Sequence, residues 1–350
     1  MLLSQLLEIV GEKKKGLLVV YENKIVLCDK FFVILHWRFF IQLNRDEEQL
    51  IWNVYKSLER ELLALAEIIH IDDKQLDVYS MKIADLLIRT SVEIESISKE
   101  LYFREGGTKS DNKDLYFDTD CLALLESKWC LSNKVVMVSS PILYLEQNEN
   151  LYLTPLHKAY KRGTSSSDWQ KAYQAVKHNR GKSLHKGALK HFIRSLGALC
   201  LLNIYYQDQT FDLKSNSNGN LFDASIGSSV FSVQLHPFPG INASGIYNKN
   251  EEFDNCMYLI QATDKTKSIA QNALIELDNK LMEKVLSQVN QELAVMTEPL
   301  TSVDLKDKVA KSIEKYKNQL LIPVAKENGI LLTKAFNEIR YEAVLNKCQY

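Results

Sequence analysis

The sequence predicts a mainly α protein: a four-helix bundle interrupted by an α/β insertion and followed by a C-terminal α+β region. Three observations predict it. Apolar residues recur every three or four positions over residues 46–70 and 74–103, the period of a helix with one apolar face. The same period returns over residues 168–206. Short β-rich runs fall before, between and after these helical stretches.

A chain of 350 residues is long for one helical domain, and two domains are the expectation. The texture changes mark a mixed segment at 1–43, a helical bundle at 44–208 with its insertion at 106–165, and an α+β region at 209–350. Hydrophobic content of 46% and charged content of 25% are those of a soluble globular protein. The net charge of −1 excludes nothing by itself, so its distribution matters more. The six cysteines are scattered and form no CxxC, which signals no zinc site and no disulfide framework. Free thiols in a reducing cytoplasm are the expectation. The N-terminal run MLLSQLLEIVGEKKKG places its charge after the apolar stretch and has no small-residue cleavage site, unlike a secretory signal. The most apolar stretch, residues 31–43, has 13 residues and contains His36 and Arg38. A bilayer span needs about 20. A buried strand or core segment is expected there, and no membrane contact.

Taken in order, residues 1–10 have helical spacing, and LLVVY (17–21) and KIVLC (24–28) flank Glu22-Asn23 as a hairpin would. Asp46 can cap a helix that aligns Leu50, Val54, Leu58, Leu62, Leu65 and Ile69. A second helix over 74–103 ends at Gly106-Gly107 and makes a helical hairpin with the first. Within the insertion, 118–129 reads as a helix, and 134–138 and 150–153 as strands. Ser167-Asp-Trp-Gln170 is a reciprocal capping pattern that opens a third helix, which Gly181 ends near His178. A fourth, amphipathic helix covers about 183–206, with Gly187 and Gly197 permitting close contact. Beyond it, strands are expected at 230–235 and 257–262, and helices at 265–294, 305–321 and 331–345.

Charge is segregated on the third and fourth helices. From Trp169 to Gln207 there is no Asp or Glu, against seven Lys or Arg and three His. Such a surface meets an anion, most simply a phosphate backbone. At the junction Arg180-Gly-Lys-Ser-Leu-His185 sets an Arg and a His five positions apart, at the expected entrance of the fourth helix. An Arg, four to six residues and a His at that place resemble the HEPN superfamily of helical-bundle domains, over about residues 46–207. The resemblance implies a metal-independent endoribonuclease with no cofactor, acting as a homodimer on RNA. It also implies a toxin or anti-phage role with an antitoxin or sensor partner. Carried over, the catalytic pair is Arg180 and His185. Many family members have a polar residue directly after the Arg; here Gly181 stands there and Asn179 precedes it, so His178 is a second catalytic candidate.

The chemistry suits these side chains. Cleavage of RNA without metal needs a base for the 2′-hydroxyl, an acid for the leaving oxygen and positive charge on the phosphate. Histidine titrates near neutrality and transfers protons, and the guanidinium fork holds a phosphate. Lys177, Asn179, Lys182, Lys186 and Lys190 are the substrate-binding candidates, equally readable as a solvated helix face. Trp169 and Tyr173 could stack bases, though core burial fits them better. The other reading is a non-catalytic interaction module whose basic turn binds nucleic acid or a partner protein.

Overall fold

The computed structural model describes residues 17–21, 24–28, 49–110, 114–237, 249, 252–295 and 302–350. Within them the chain is mainly helical with small sheets. The N-terminal hairpin forms as the sequence predicts: β1 (Leu17–Tyr21) pairs antiparallel with β2 (Lys24–Cys28), Tyr21 opposite Lys24. The expectations for 1–10 and 31–43 lie outside the described residues.

Helix α1 (residues 49–66) buries Tyr55, Leu58, Glu59 and Leu62, while Leu50 at its start is exposed. The second helix, α2 (Met81–Arg104), begins at Met81 and not at residue 74. The intervening residues are committed elsewhere. Asp72 Oδ1 accepts the N–H groups of Lys74 and Gln75 at 2.9 and 3.1 Å, a turn that competes with helix initiation. Ser80 is extended and its Oγ accepts from Ile83 N at 3.1 Å, which sets the start. The helix closes on Gly106 at φ +87°, with Gly106 N bonded to Phe103 O and Gly107 N to Tyr102 O, the pattern that favours glycine.

The insertion opens with a π-helix (Phe117–Leu122) that runs into α3 (Ala123–Trp129). It continues through β3 (Val136–Val138), a single turn α4 (Asn148–Leu151) and β4 (Tyr152–Leu153). The strand expected at 150–153 is thus half helical. Asp73 accepts from Glu146 N, Gln147 N and Asn150 Nδ2, and so fixes the turn from outside the segment.

Next come α5 (Asp168–Ser183) and α6 (Leu189–Gln207). The remainder holds β5 (Phe211–Lys214), β6 (Phe231–Val233), β7 (Leu235–His236), β8 (Tyr258–Ala262), α7 (Asp264–Ala294), α8 (Ser302–Glu327), α9 (Gly329–Asn337) and β9 (Tyr341–Leu345). The helix expected at 331–345 therefore ends early, and its last third is a strand paired antiparallel with β8, Tyr341 opposite Ala262. One sheet has the order β4-β3-β6, the other β5-β9-β8-β7, so the C-terminal strand sits inside its sheet. β6 and β7, separated only by Gln234, belong to different sheets.

α6 is the axis of the fold. Fourteen of its 19 residues are buried, so it is enclosed on all sides and not amphipathic as its sequence suggests. α2 lies along it and α5 packs on both. One continuous core takes side chains from α1 (Leu58), α2 (Leu87), α5 (Tyr173) and α6 (Leu199), and also Val136, Phe231, Ile260 and Leu345. The core crosses residue 208 without a break. α7 and α8 add a separate cluster around Leu281, Val285, Val289 and Val324. Among the described residues no helix is long and apolar enough to cross a membrane, and Cys121, Cys130, Cys200, Cys256 and Cys348 are thiols outside any disulfide.

Candidate functional site

α5 carries most of the residues that the sequence singled out. Its start is the expected capping box: Gln170 Oε1 accepts from Ser167 N at 3.1 Å and from Ser167 Oγ at 2.8 Å. Trp169 Nε1 donates to Pro155 O, and Gln170 Nε2 to Ala159 O, each at 2.8 Å, which locks the helix onto the turn at 155–160. Trp169 and Tyr173 are core side chains and cannot stack bases. The solvent face presents Lys171, Gln174, Lys177 and His178.

The helix does not end at Gly181. It breaks at Asn179 (φ −150°, ψ 68°) and resumes for one turn, with Asn179 Oδ1 accepting from Lys182 N at 3.3 Å. A 3₁₀ turn over Leu184–Lys186 follows, and α6 begins only at Leu189. Arg180 and His185 thus lie in the connection and not at the entrance of α6. That entrance is closed to anions: Leu189 N and Lys190 N donate to Val78 O and Leu76 O, each at 2.9 Å, and His191 N and Phe192 N to Ala188 O.

The acid-free stretch of sequence is not acid-free in space. Arg180 Nη1 pairs with Asp85 Oδ1 at 2.8 Å and Lys190 Nζ with Asp77 Oδ1 at 2.6 Å. Lys177 Nζ donates to Tyr173 OH at 3.0 Å, and that hydroxyl donates to Glu95 Oε1 at 3.1 Å. His185 meets the edge of the Tyr79 ring, centroids 6.5 Å apart. Lys182 and Lys186 are exposed and make no ion pair among the described residues. His191 is largely buried, with Nδ1 unpartnered. Burial first, then the charges of Lys190 and Arg194, push its pKa down to about 4, so it is neutral at pH 7 and brings no charge to a phosphate.

Of the three catalytic candidates, His178 lies in a cavity. A cleft of about 680 Å³ opens between α2, the start of the π-helix, the loop at 162–166 and α5. Glu95 and Lys99 line it from one turn of α2, and Lys171, Gln174 and His178 from α5. His178 Nε2 is 3.1 Å from Gln174 Oε1; when Nε2 donates to that oxygen, Nδ1 is left to accept a proton. On the third wall Arg162 forks onto Asp118, Nε to Oδ2 at 3.0 Å and Nη2 to Oδ1 at 2.6 Å, and its guanidinium lies 3.7 Å from the Tyr116 ring centroid. The π-helix supplies this wall, a bulged geometry that recurs at functional sites.

The cleft therefore combines an imidazole and two carboxylates with three cationic side chains over a concave surface, Arg162 being paired with Asp118 and Lys171 with Asp168. Arg162, Asp118, Tyr116 and Lys99 escaped the sequence reading, since nothing local distinguishes Arg162 in a Ser-rich loop or marks 117–122 as a π-helix. Among the described residues no group of three or more His, Cys, Asp or Glu is placed to hold a metal ion. No protein-family model, no curated protein and no solved structure matches this chain.

Proposed function

We propose that this protein is an RNA-cleaving protein of the HEPN-like kind, working without metal at the cleft that holds His178. In this reading α1, α2, α5 and α6 are the four helices of the bundle, and the protein acts as a homodimer. The observation that carries it is the grouping of His178, Glu95, Lys99, Lys171 and Arg162 around one open cavity. Glu95 takes the proton from the 2′-hydroxyl as that oxygen attacks phosphorus, and His178 gives a proton to the departing 5′-oxygen. The products are a 2′,3′-cyclic phosphate and a 5′-hydroxyl. The cations bear the charge that develops on the phosphoryl oxygens. Arg180 and His185 sit beyond the kink and act on the flanking strand.

The second reading, nucleic-acid binding without cleavage, is favoured by one observation: Arg162 and Lys171, two of the three cations of the cleft, are already paired with Asp118 and Asp168, which leaves less positive charge for a developing phosphorane.

The deciding experiment incubates the purified protein with single-stranded RNA in EDTA. Cleavage with cyclic-phosphate ends is expected, and His178→Ala lowers the rate by about 10²–10⁴-fold, the usual scale for loss of a proton-transfer group. Arg180→Ala and His185→Ala reduce it less. A fully active His178→Ala protein sinks the site assignment. RNA binding with no cleavage by the wild type selects the second reading.

A further inference from the structure

A second cleft, of about 550 Å³, lies on the other side of the loop at 163–166. It is bounded by Tyr152 of β4, the turn after it, the first turn of α5, and Arg194 of α6. Thr164, Ser166 and Lys171 line both clefts, so the loop is a ridge between two adjoining cavities. We infer that this second cleft is a nucleotide subsite, which takes the base and phosphate of a residue neighbouring the one held beside His178. The inference rests on the RNA reading above and adds to it the part of the strand that the second cavity receives.

Charge is the first argument. Lys158, Lys161, Lys171 and Arg194 face two carboxylates, Glu149 and Asp168, and His157 adds a further titratable ring. Lys171 Nζ already holds Asp168 Oδ1 at 3.1 Å, which leaves three cations against Glu149. Lys158 makes no ion pair among the described residues, and Arg194 Nη2 donates to the neutral Asn150 Oδ1 at 3.3 Å. An anion is the missing complement. Shape is the second. The volume is within the range of small-ligand sites, about 300–1,000 Å³. Tyr152 lines the cleft together with these cations, is 44% exposed and lies on the edge strand of its sheet, so an aromatic side chain is accessible there for stacking. A phosphate flanked by an aromatic platform describes a nucleotide better than a simple anion.

Rigidity is the third. Ser165 Oγ donates to Arg162 O at 3.1 Å and Ser166 Oγ to Gly163 O at 2.8 Å, which ties the ridge to itself. Its far end is held by the Arg162–Asp118 fork in the first cleft. A strand bound in one cavity meets a fixed wall leading to the next.

Fluorescence anisotropy of the full chain with a labelled twelve-nucleotide 2′-O-methyl oligouridylate, which cannot be cleaved, tests this. Tyr152→Ala weakens binding about 5- to 150-fold, the scale of one lost base stack, and Tyr152→Phe restores it. Lys158→Ala with Lys161→Ala lowers the salt slope of log K by about 1.4, that of two phosphate contacts on a single strand. Unchanged affinity in Tyr152→Ala, together with an unchanged slope in the double variant, overturns the subsite while leaving the RNA reading intact. Uridine 5′-monophosphate titrated alone separates the sources: its loss in Tyr152→Ala with no change for the oligomer assigns the cleft to a free nucleotide and overturns the strand subsite. A wild-type protein that binds no oligomer removes both this inference and the reading it rests on.

Discussion

At the scale of single residues, partners decide which of the basic side chains can act. Arg180, His185 and His178 look alike in sequence, yet Arg180 is held by Asp85, His185 abuts Tyr79, and His178 opens into a cavity. Asp85 and Tyr79 lie some hundred positions upstream, so no local window contains them. His191 supplies a pH prediction. Its folded pKa of about 4 lies below the ordinary histidine value, so the contribution it makes to stability is present above about pH 6.5 and is lost as pH falls toward 4. At pH 5 the loss is about 2 kcal/mol relative to pH 7. Urea midpoints at the two pH values should converge in His191→Gln; an unchanged pH dependence would clear His191 of the effect.

At the scale of elements, the boundary between α5 and α6 is set by contacts and not by glycine propensity. Gly181 sits inside a helical turn, where an added Cβ meets nothing within 4 Å. Gly187 lies against α2 and α5: its Cβ would fall 2.9 Å from Ala84 Cβ and 3.2 Å from Val176 Cγ2. Gly187→Ala should therefore destabilise by about 1–3 kcal/mol through overpacking. Gly181→Ala should be neutral or stabilising by up to about 1 kcal/mol, because a helical glycine gains from a methyl group. Thermal unfolding of the pair checks this, and equal shifts would contradict the close approach at Gly187. The elements that the sequence made legible are those whose signals are local: the hairpin at 17–28, the capping box at Ser167 and the glycine closure of α2. The start of α2 was not legible, since residues 76–79 are held by the backbone of α6.

At the scale of the whole molecule, buried polar groups join distant parts of the chain. Glu59 of α1 accepts from Tyr55 OH at 2.8 Å, Ser229 N at 2.8 Å and Val230 N at 3.2 Å, and also from Ser228 Oγ and Lys56 Nζ. Burial pushes its carboxyl up, but the bonds from Lys56, Ser228, Tyr55 and Ser229 outweigh this and hold it below its ordinary value. Its contribution is therefore complete above the ordinary carboxylate value and fades as pH falls through the lowered one. Glu59→Ala strips these donors of their acceptor and should cost about 3–5 kcal/mol. Chemical denaturation measures it, and a cost under about 1 kcal/mol would show that the node is dispensable. At the other end, Tyr205 OH donates to Asn346 O at 2.7 Å, and Asn346 Nδ2 to Phe253 O and Cys256 O. These bonds fasten the C-terminal strand to the end of α6, in the same core as the helices before residue 208.

The sequence by itself determined the mainly helical class, the hairpin, most helix positions and the identity of α5 as the basic element. Each rests on spacing or capping within about a turn or two of chain. Only the tertiary structure decided that α6 is enclosed on every side, that residues 341–345 form an inner strand, and that α2 carboxylates face the basic turn. It also set His178 in a cleft with Glu95 and Arg162. The reason is physical: burial and charge pairing are sums over neighbours in space, and α2, the π-helix and α5 become neighbours only when they close on α6.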